Sequence, residues 1–250
     1  EVAVDQLPET AQETVGALDT GIRPLQRLFG RCREHHEQAR SVGAELVAHP
    51  LCAGVAFTGS VATAKRIQHS LAAADRPIVP LIAETGGLNA MIVDSTALPE
   101  QVIDTVVASA FLSAGQRCSA LRLLCLHQAV ADDMEAMLAG ALLTLVSGPP
   151  EVWSTDVGPV IDTHAQARLL SHLATLTEQA EDAASGVHLI AQAPPPADLG
   201  ELPFVRASAW RIPTVSHLQA EHFGPILHVV HWGPGTHAPT LDDLIDQINA

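Results

Sequence analysis

Glu84 and Cys118 stand thirty-four positions apart, one in Ala83-Glu84-Thr85-Gly86-Gly87 and the other in Gly115-Gln116-Arg117-Cys118-Ser119. A thiolate can attack a carbonyl carbon, and a carboxylate can activate water. The pair is what is needed to make a thioester and then hydrolyse it. Alone, the two residue types say little, because free Cys is commonly a buried core residue and Glu commonly a surface one. The elements between them add more. Ala90-Met91-Ile92-Val93 is a short apolar strand, and Val102, Val106, Val107, Ala110 and Phe111 recur at helical spacing. A single strand–helix unit therefore presents the carboxylate, the thiol and two glycine-bearing turns.

Two further stretches bear on chemistry. Ala53-Gly54-Val55-Ala56-Phe57-Thr58-Gly59-Ser60 is a strand ending in a Gly-Ser turn, with a helical pattern behind it (Val61, Ala64, Ile67, Leu71). Strand, glycine turn and helix N-terminus place backbone N–H groups where a phosphate can sit. Ser60 can cap that helix and also reach a phosphate oxygen, and a plain N-cap explains it as well. The G-x-G-x-x-G dinucleotide fingerprint is absent. Later, Glu221-His222-Phe223-Gly224-Pro225 leads into an apolar strand, Ile226 to Val230.

Glu-Thr-Gly-Gly followed at this distance by Gly-Gln-Arg-Cys-Ser resembles the active-site signature of the aldehyde dehydrogenase superfamily. The runs Leu81 to Asp94 and Ser113 to Arg122 narrow the resemblance. They are similar to the glutamate-semialdehyde (pyrroline-5-carboxylate) dehydrogenase domain of the bifunctional proline utilization A proteins, as is Ser154-Thr155-Asp156-Val157-Gly158-Pro159-Val160-Ile161-Asp162. The resemblance implies an α/β fold: residues 1–82 as the C-terminal part of a Rossmann-type NAD-binding domain, and 83–250 as most of the α/β catalytic domain.

It also implies roles. Cys118 is the nucleophile and Glu84 the base. Gly59 and Ser60 form the phosphate turn, and Gly86 belongs to the same cofactor site. Glu221 reaches the nicotinamide ribose hydroxyls, Phe223 lies against the nicotinamide, and Ser119 contacts the substrate carboxylate. The cofactor is NAD, with FAD only if a proline dehydrogenase domain exists elsewhere in the parent chain. The pattern departs from the family at Val2, aligned with a cofactor-binding lysine, and at Val61-Ala62, which replaces a usual Thr-Glu pair. The oxyanion Asn would lie upstream of Glu1 and the substrate-anchoring loop downstream of Ala250, so the chain reads as a fragment.

Composition fits a globular domain: 47% apolar and 16% charged residues. A net charge of −15 with no basic run argues against a nucleic-acid partner. Four cysteines in 250 residues are no disulfide framework, which favours a cytoplasmic setting. No apolar run approaches the roughly eighteen residues of a membrane span. The expected partners are a small-molecule aldehyde and, in the intact parent, further copies of the chain.

Coarse patterning predicts a helix from Thr10 to about Gly21, another from Val42 that Pro50 stops, a strand over Leu121–Leu126 and a helix over Val130–Leu145. A long helix from Ala165 to Ala184 carries Leu169, Leu170, His172, Leu173 and Leu176 on its inner stripe. Cys125 falls in the core, and Thr240-Leu241-Asp242-Asp243 opens a last helix as a capping box. Cys32, His35 and His36 match no zinc spacing, so no metal is expected. Two other functions fit the same residues. One is a catalytically silent module kept for oligomer contacts. The other is an acyl transferase or thiol hydrolase, which would need a His paired with Cys118.

Overall fold

The computed structural model describes residues 42–196, 202–234 and 238–250. The helix expected from Thr10, the Arg31–Ala39 stretch and part of the Pro-rich excursion at 192–198 lie outside the described residues. The chain divides into two units, Glu1–Thr85 and Gly86–Ala250, where the sequence suggested a division between 82 and 83.

In the first unit, helix α1 (42–48) ends ahead of Pro50, and Arg76 closes it. The Arg76 guanidinium donates to the carbonyls of Val47 (2.8 Å), in the last turn of the helix, and His49 (2.7 Å), just beyond it. Strand β1 (Val55–Gly59), helix α2 (Val61–Ala73) and strand β2 (Leu81–Thr85) follow. A crossover helix is what allows β1 and β2 to pair in parallel, in register from Val55↔Leu81 to Gly59↔Thr85. Among the described residues no third strand joins them, and Ile82 is 64% exposed.

The second unit holds β3 (Ala90–Val93), α3 (Pro99–Ala110), β4 (Leu123–His127), α4 (Ala131–Thr144), α5 (Thr163–Glu181), β5 (His188–Gln192), β6 (Ser208–Arg211), β7 (Ile226–Trp232) and α6 (Leu241–Asn249). The sheet order is β3-β4-β7-β6-β5. All neighbours run parallel except β5, which is antiparallel to β6. Leu123 to Leu126 on β4 and Ile226 to Val230 on β7 are buried without alternation. Continuous burial is the mark of central parallel strands covered on both faces. Cys125 lies in this core, as expected, with no exposed surface, and burial pushes its thiol up to about 12. On the edge of the core, Glu135 of α4 is buried between Arg211 of β6 and His231 of β7, tying that helix to the sheet.

The bounds of β4 and α5 differ from the sequence expectation for local reasons. Strand β4 begins at Leu123, because the preceding N–H groups are spent on other partners. Leu121 donates to Ser109 Oγ (3.2 Å), and Arg122 donates to the carbonyl of Asn89 (3.0 Å). Helix α5 starts two residues earlier, where Asp162 caps it by accepting from Ala165 N–H at 2.7 Å, and ends three residues sooner, at Glu181. Leu170 is not on the inner stripe: it is 48% exposed, while Ala165, Leu169, Leu173 and Leu176 are buried. A step of one residue turns the helix by about 100°, which carries Leu170 off the face that Leu169 occupies. Helix α6 opens with the expected capping box between Thr240 and Asp243.

Candidate active site

Within the first unit, Glu84 and the Gly59-Ser60 turn share the C-terminal ends of two parallel strands, since Thr58 pairs with Glu84 and Gly59 with Thr85. Carboxyl ends of parallel strands are where α/β sheets bind ligands. Glu84 is exposed. Ser60 caps α2: its Oγ accepts from Thr63 N–H (3.3 Å) and donates to Thr63 Oγ1 (3.0 Å). Its hydroxyl proton is therefore committed, and any phosphate contact here falls to the free backbone N–H groups of the first turn. No acidic residue occupies that turn, and Arg66 reaches back to Thr63 Oγ1 at 2.9 Å. The helix end is thus unblocked and positive, which suits an anion.

Within the second unit, the chain leaves α3 through three consecutive left-handed residues: Ser113 (φ 58), Ala114 (φ 52) and Gly115 (φ 62). Such a run costs on the order of 1–2 kcal/mol per non-glycine residue and persists only when its surroundings impose it. The surroundings are close. A Cβ on Gly115 would overlap the carbonyl oxygen of Gly224 and lie 2.8 Å from that of Ala110. Gly224 is itself wedged against Leu169 of α5, whose Cδ2 would lie 2.7 Å from an added Cβ. Glycine is therefore required at 115. Gly115→Ala should destabilise this unit by about 3 kcal/mol or more. The check is the urea midpoint at which Cys125, wholly buried in the native fold, becomes alkylated in the full-length protein. A midpoint equal to wild type would refute the close approach.

The turn aims Cys118 and Ser119 outward, and both are exposed. Four side chains hold the loop in shape. The Asn89 amide donates to the carbonyls of Cys118 (2.7 Å) and Ala120 (3.0 Å). Gln116 donates to the Pro159 carbonyl (3.2 Å) and accepts from Ile161 N–H (2.8 Å). Arg117 donates to the Ala108 carbonyl at 2.7 Å, at the end of α3. Arg122, 1% exposed, donates to the carbonyls of Arg117 (3.4 Å) and Gly224 (3.1 Å). Sequence reading assigned no role to any of these four. An arginine set inside the apolar run Leu121–Leu126 was the available signal, because a buried cation needs a built partner.

That partner is Glu221. Nε and Nη2 of Arg122 both reach Glu221 Oε1 at 3.4 Å, and the guanidinium carbon lies 5.0 Å from the centre of the Phe223 ring. Burial lowers the Arg122 pKa, and Glu221 works in the opposite direction. Gly86 lies against the other oxygen of Glu221, which leaves no room there for a Cβ. Three of the expected site residues, Gly86, Glu221 and Phe223, are thus brought together, and Arg122 joins them to the Cys118 loop. Beside them His172 and His222 stack with ring centres 3.4 Å apart, and His172 Nε2 lies 2.9 Å from His228 Nε2. Burial, then mutual repulsion, pulls His172 down to about 4 and His228 to about 3. Burial and Arg122 also lower His222. All three imidazoles are therefore neutral at neutral pH. None bonds to Cys118 among the described residues.

A cleft of about 630 Å³ opens between the start of α5 and Glu221–Phe223, lined also by Ala165, Arg168 and Ser171. A second hollow, of about 510 Å³, lies beside α6 and Val230–His231 and contains none of the expected site residues. Among the described residues no group of His, Cys, Asp and Glu has the geometry to hold a metal ion. No helix among them is long and apolar enough to cross a membrane.

Residues 35–250 match the family model described as "Aldehyde dehydrogenase family". The chain is 42% identical over 253 residues to the bifunctional protein PutA of Escherichia coli (strain K12), covering 98% of this chain and 18% of that protein. It is 46% identical over 217 residues to the bifunctional protein PutA of Rhizobium meliloti, covering 84% and 16%. A crystal structure of proline utilization A from Bradyrhizobium japonicum superimposes with a TM-score of 0.75 at 48% identity, over 84% of this chain and 20% of that one. The chain therefore spans one fifth or less of the length of these PutA relatives.

Proposed function

The chain belongs to the aldehyde dehydrogenase family and has its α/β fold, and from that premise we propose that it carries the thiol, the base and part of the cofactor site of an NAD-dependent L-glutamate γ-semialdehyde dehydrogenase. The observation that carries the reading is the braced loop that presents Cys118 outward while Arg122 joins it to Glu221, Phe223 and Gly86.

Cys118, as thiolate, attacks the aldehyde carbon and leaves a negatively charged oxygen. The Cys118 backbone N–H supplies one donor to that oxygen, where charge develops. When bound, NAD supplies the hydride acceptor. The acyl group then remains as a thioester on Cys118, and water activated by Glu84 opens it to release the acid. Ser119, exposed next to the nucleophile, contacts the substrate carboxylate.

The NAD fit rests on two features of this fold. The α2 N-terminus is free of acidic residues and suits a phosphate. Glu221 has Oε1 held by Arg122 and, among the described residues, no donor on Oε2, so a ribose hydroxyl has an acceptor in a fixed carboxylate. Phe223 presents a half-exposed ring beside it.

A cytoplasmic, oligomeric parent enzyme acting in proline breakdown completes the proposal. The test is NADH production by the full-length protein with L-glutamate γ-semialdehyde, set against acetaldehyde and NADP. Preference for the semialdehyde with NAD is expected. Equal rates with acetaldehyde would remove the substrate assignment, and absence of NADH with every aldehyde would favour the silent module.

A further inference from the structure

Arg122 is fixed at every polar atom described for it. Its N–H donates to the Asn89 carbonyl at 3.0 Å, and its carbonyl accepts from His228 N–H at 3.0 Å. Its guanidinium divides among three acceptors, two of them about a hundred positions along the chain and one five positions back. These are Oε1 of Glu221, the Gly224 carbonyl that packs on Gly115, and the Arg117 carbonyl one residue before the nucleophile. The three neighbouring imidazoles are neutral, so Glu221 is the counter-charge for this cation among the described residues. Both guanidinium contacts go to Oε1, and among the described residues no group donates to Oε2.

We infer that Arg122 is a positioning residue: it turns Glu221 so that Oε2 is the oxygen offered to the cofactor, and it locks the Cys118 loop to that carboxylate so that thiol and cofactor contact are set together. This rests on the roles of Cys118 and Glu221 proposed above. A planar fork can serve three acceptors in fixed directions, whereas the single ammonium of a lysine cannot. Charge alone is therefore not enough at this position.

The experiment is a double-mutant cycle in the full-length protein with Arg122→Lys, Glu221→Gln and the pair. NAD affinity is measured by calorimetric titration, KM and kcat in parallel, and Cys118 alkylation by iodoacetamide reports on the loop. Arg122→Lys should weaken NAD binding roughly tenfold, the scale of one charge-assisted hydrogen bond. Glu221→Gln should do about the same. The double variant should bind no more than about twofold worse than Glu221→Gln, because both changes remove one interaction. The inference is overturned if the effects multiply, or if Arg122→Lys lowers thermal stability with NAD affinity unchanged. Because binding is read without turnover, the two readings separate. A wild type that binds NAD but oxidises no aldehyde would sink the functional proposal and leave the cycle to decide the role of Arg122. A wild type that binds no NAD would overturn both.

Discussion

Cys118→Ala in the full-length protein removes aldehyde oxidation to the detection limit, a loss on the order of 10⁶-fold, the scale found when a covalent nucleophile is deleted. No neighbouring thiol can substitute. Cys125 is only seven positions along but lies in the centre of the sheet without exposed surface, and burial raises its pKa to about 12, so it holds its proton at any working pH. Cys52 is half-buried, and its thiol points to the Gly54 carbonyl at 3.6 Å. Isotope-coded iodoacetamide on the native protein should accordingly label Cys118 first. If Cys52 labels fully while Cys118 stays protected, Cys118 is not the nucleophile, whatever the activity of the alanine variant.

The second large effect is at Glu84. Glu84→Gln keeps the shape and removes the base, and general-base assistance is typically worth about 10²–10⁴-fold. The loss should fall on thioester hydrolysis and not on thioester formation. Rapid mixing should therefore still show a burst of NADH equal to the Cys118 content, followed by a steady rate slower by that factor. A variant whose steady rate matches wild type would take Glu84 out of the mechanism. A variant lacking the burst would move its role to the first half of the reaction.

Much of the fold was legible because the signals were local. Pro50 stops a helix, Thr240 and Asp243 cap another, and unbroken apolar runs mark β4 and β7 as covered strands. Errors arose where a tertiary partner took over a local preference, as when Asn89 and Ser109 captured the N–H groups ahead of β4. The site was legible in part. Resemblance to the motifs of a known family singled out Cys118, Glu84, Glu221 and Gly86. The residues that hold them stayed hidden, because their partners are distant: Asn89 reaches forward to Cys118 and Ala120, and Arg122 pairs with a carboxylate ninety-nine positions away. No periodicity reports a contact of that range. Ser60 shows the converse, since its capping role was plain from sequence and its hydroxyl turned out to be spent on Thr63.

The strand order carries a consequence for biosynthesis. β7 sits between β4 and β6 yet follows both in the chain, so the ribosome releases the middle of the sheet after its flanks. Until residues 226–232 emerge, β4 has a largely apolar edge unpaired on the side away from β3, and β5 and β6 form a separate antiparallel pair. Arg122 and Gly115 likewise wait for Glu221 and Gly224, which arrive in the same late segment. Nascent chains stalled short of Ile226 should therefore be the species that chaperones hold and proteases cut, since an open apolar edge invites mispairing. The bracing of the Cys118 loop through Arg122 is therefore completed only when the segment carrying Glu221 and Gly224 has joined it.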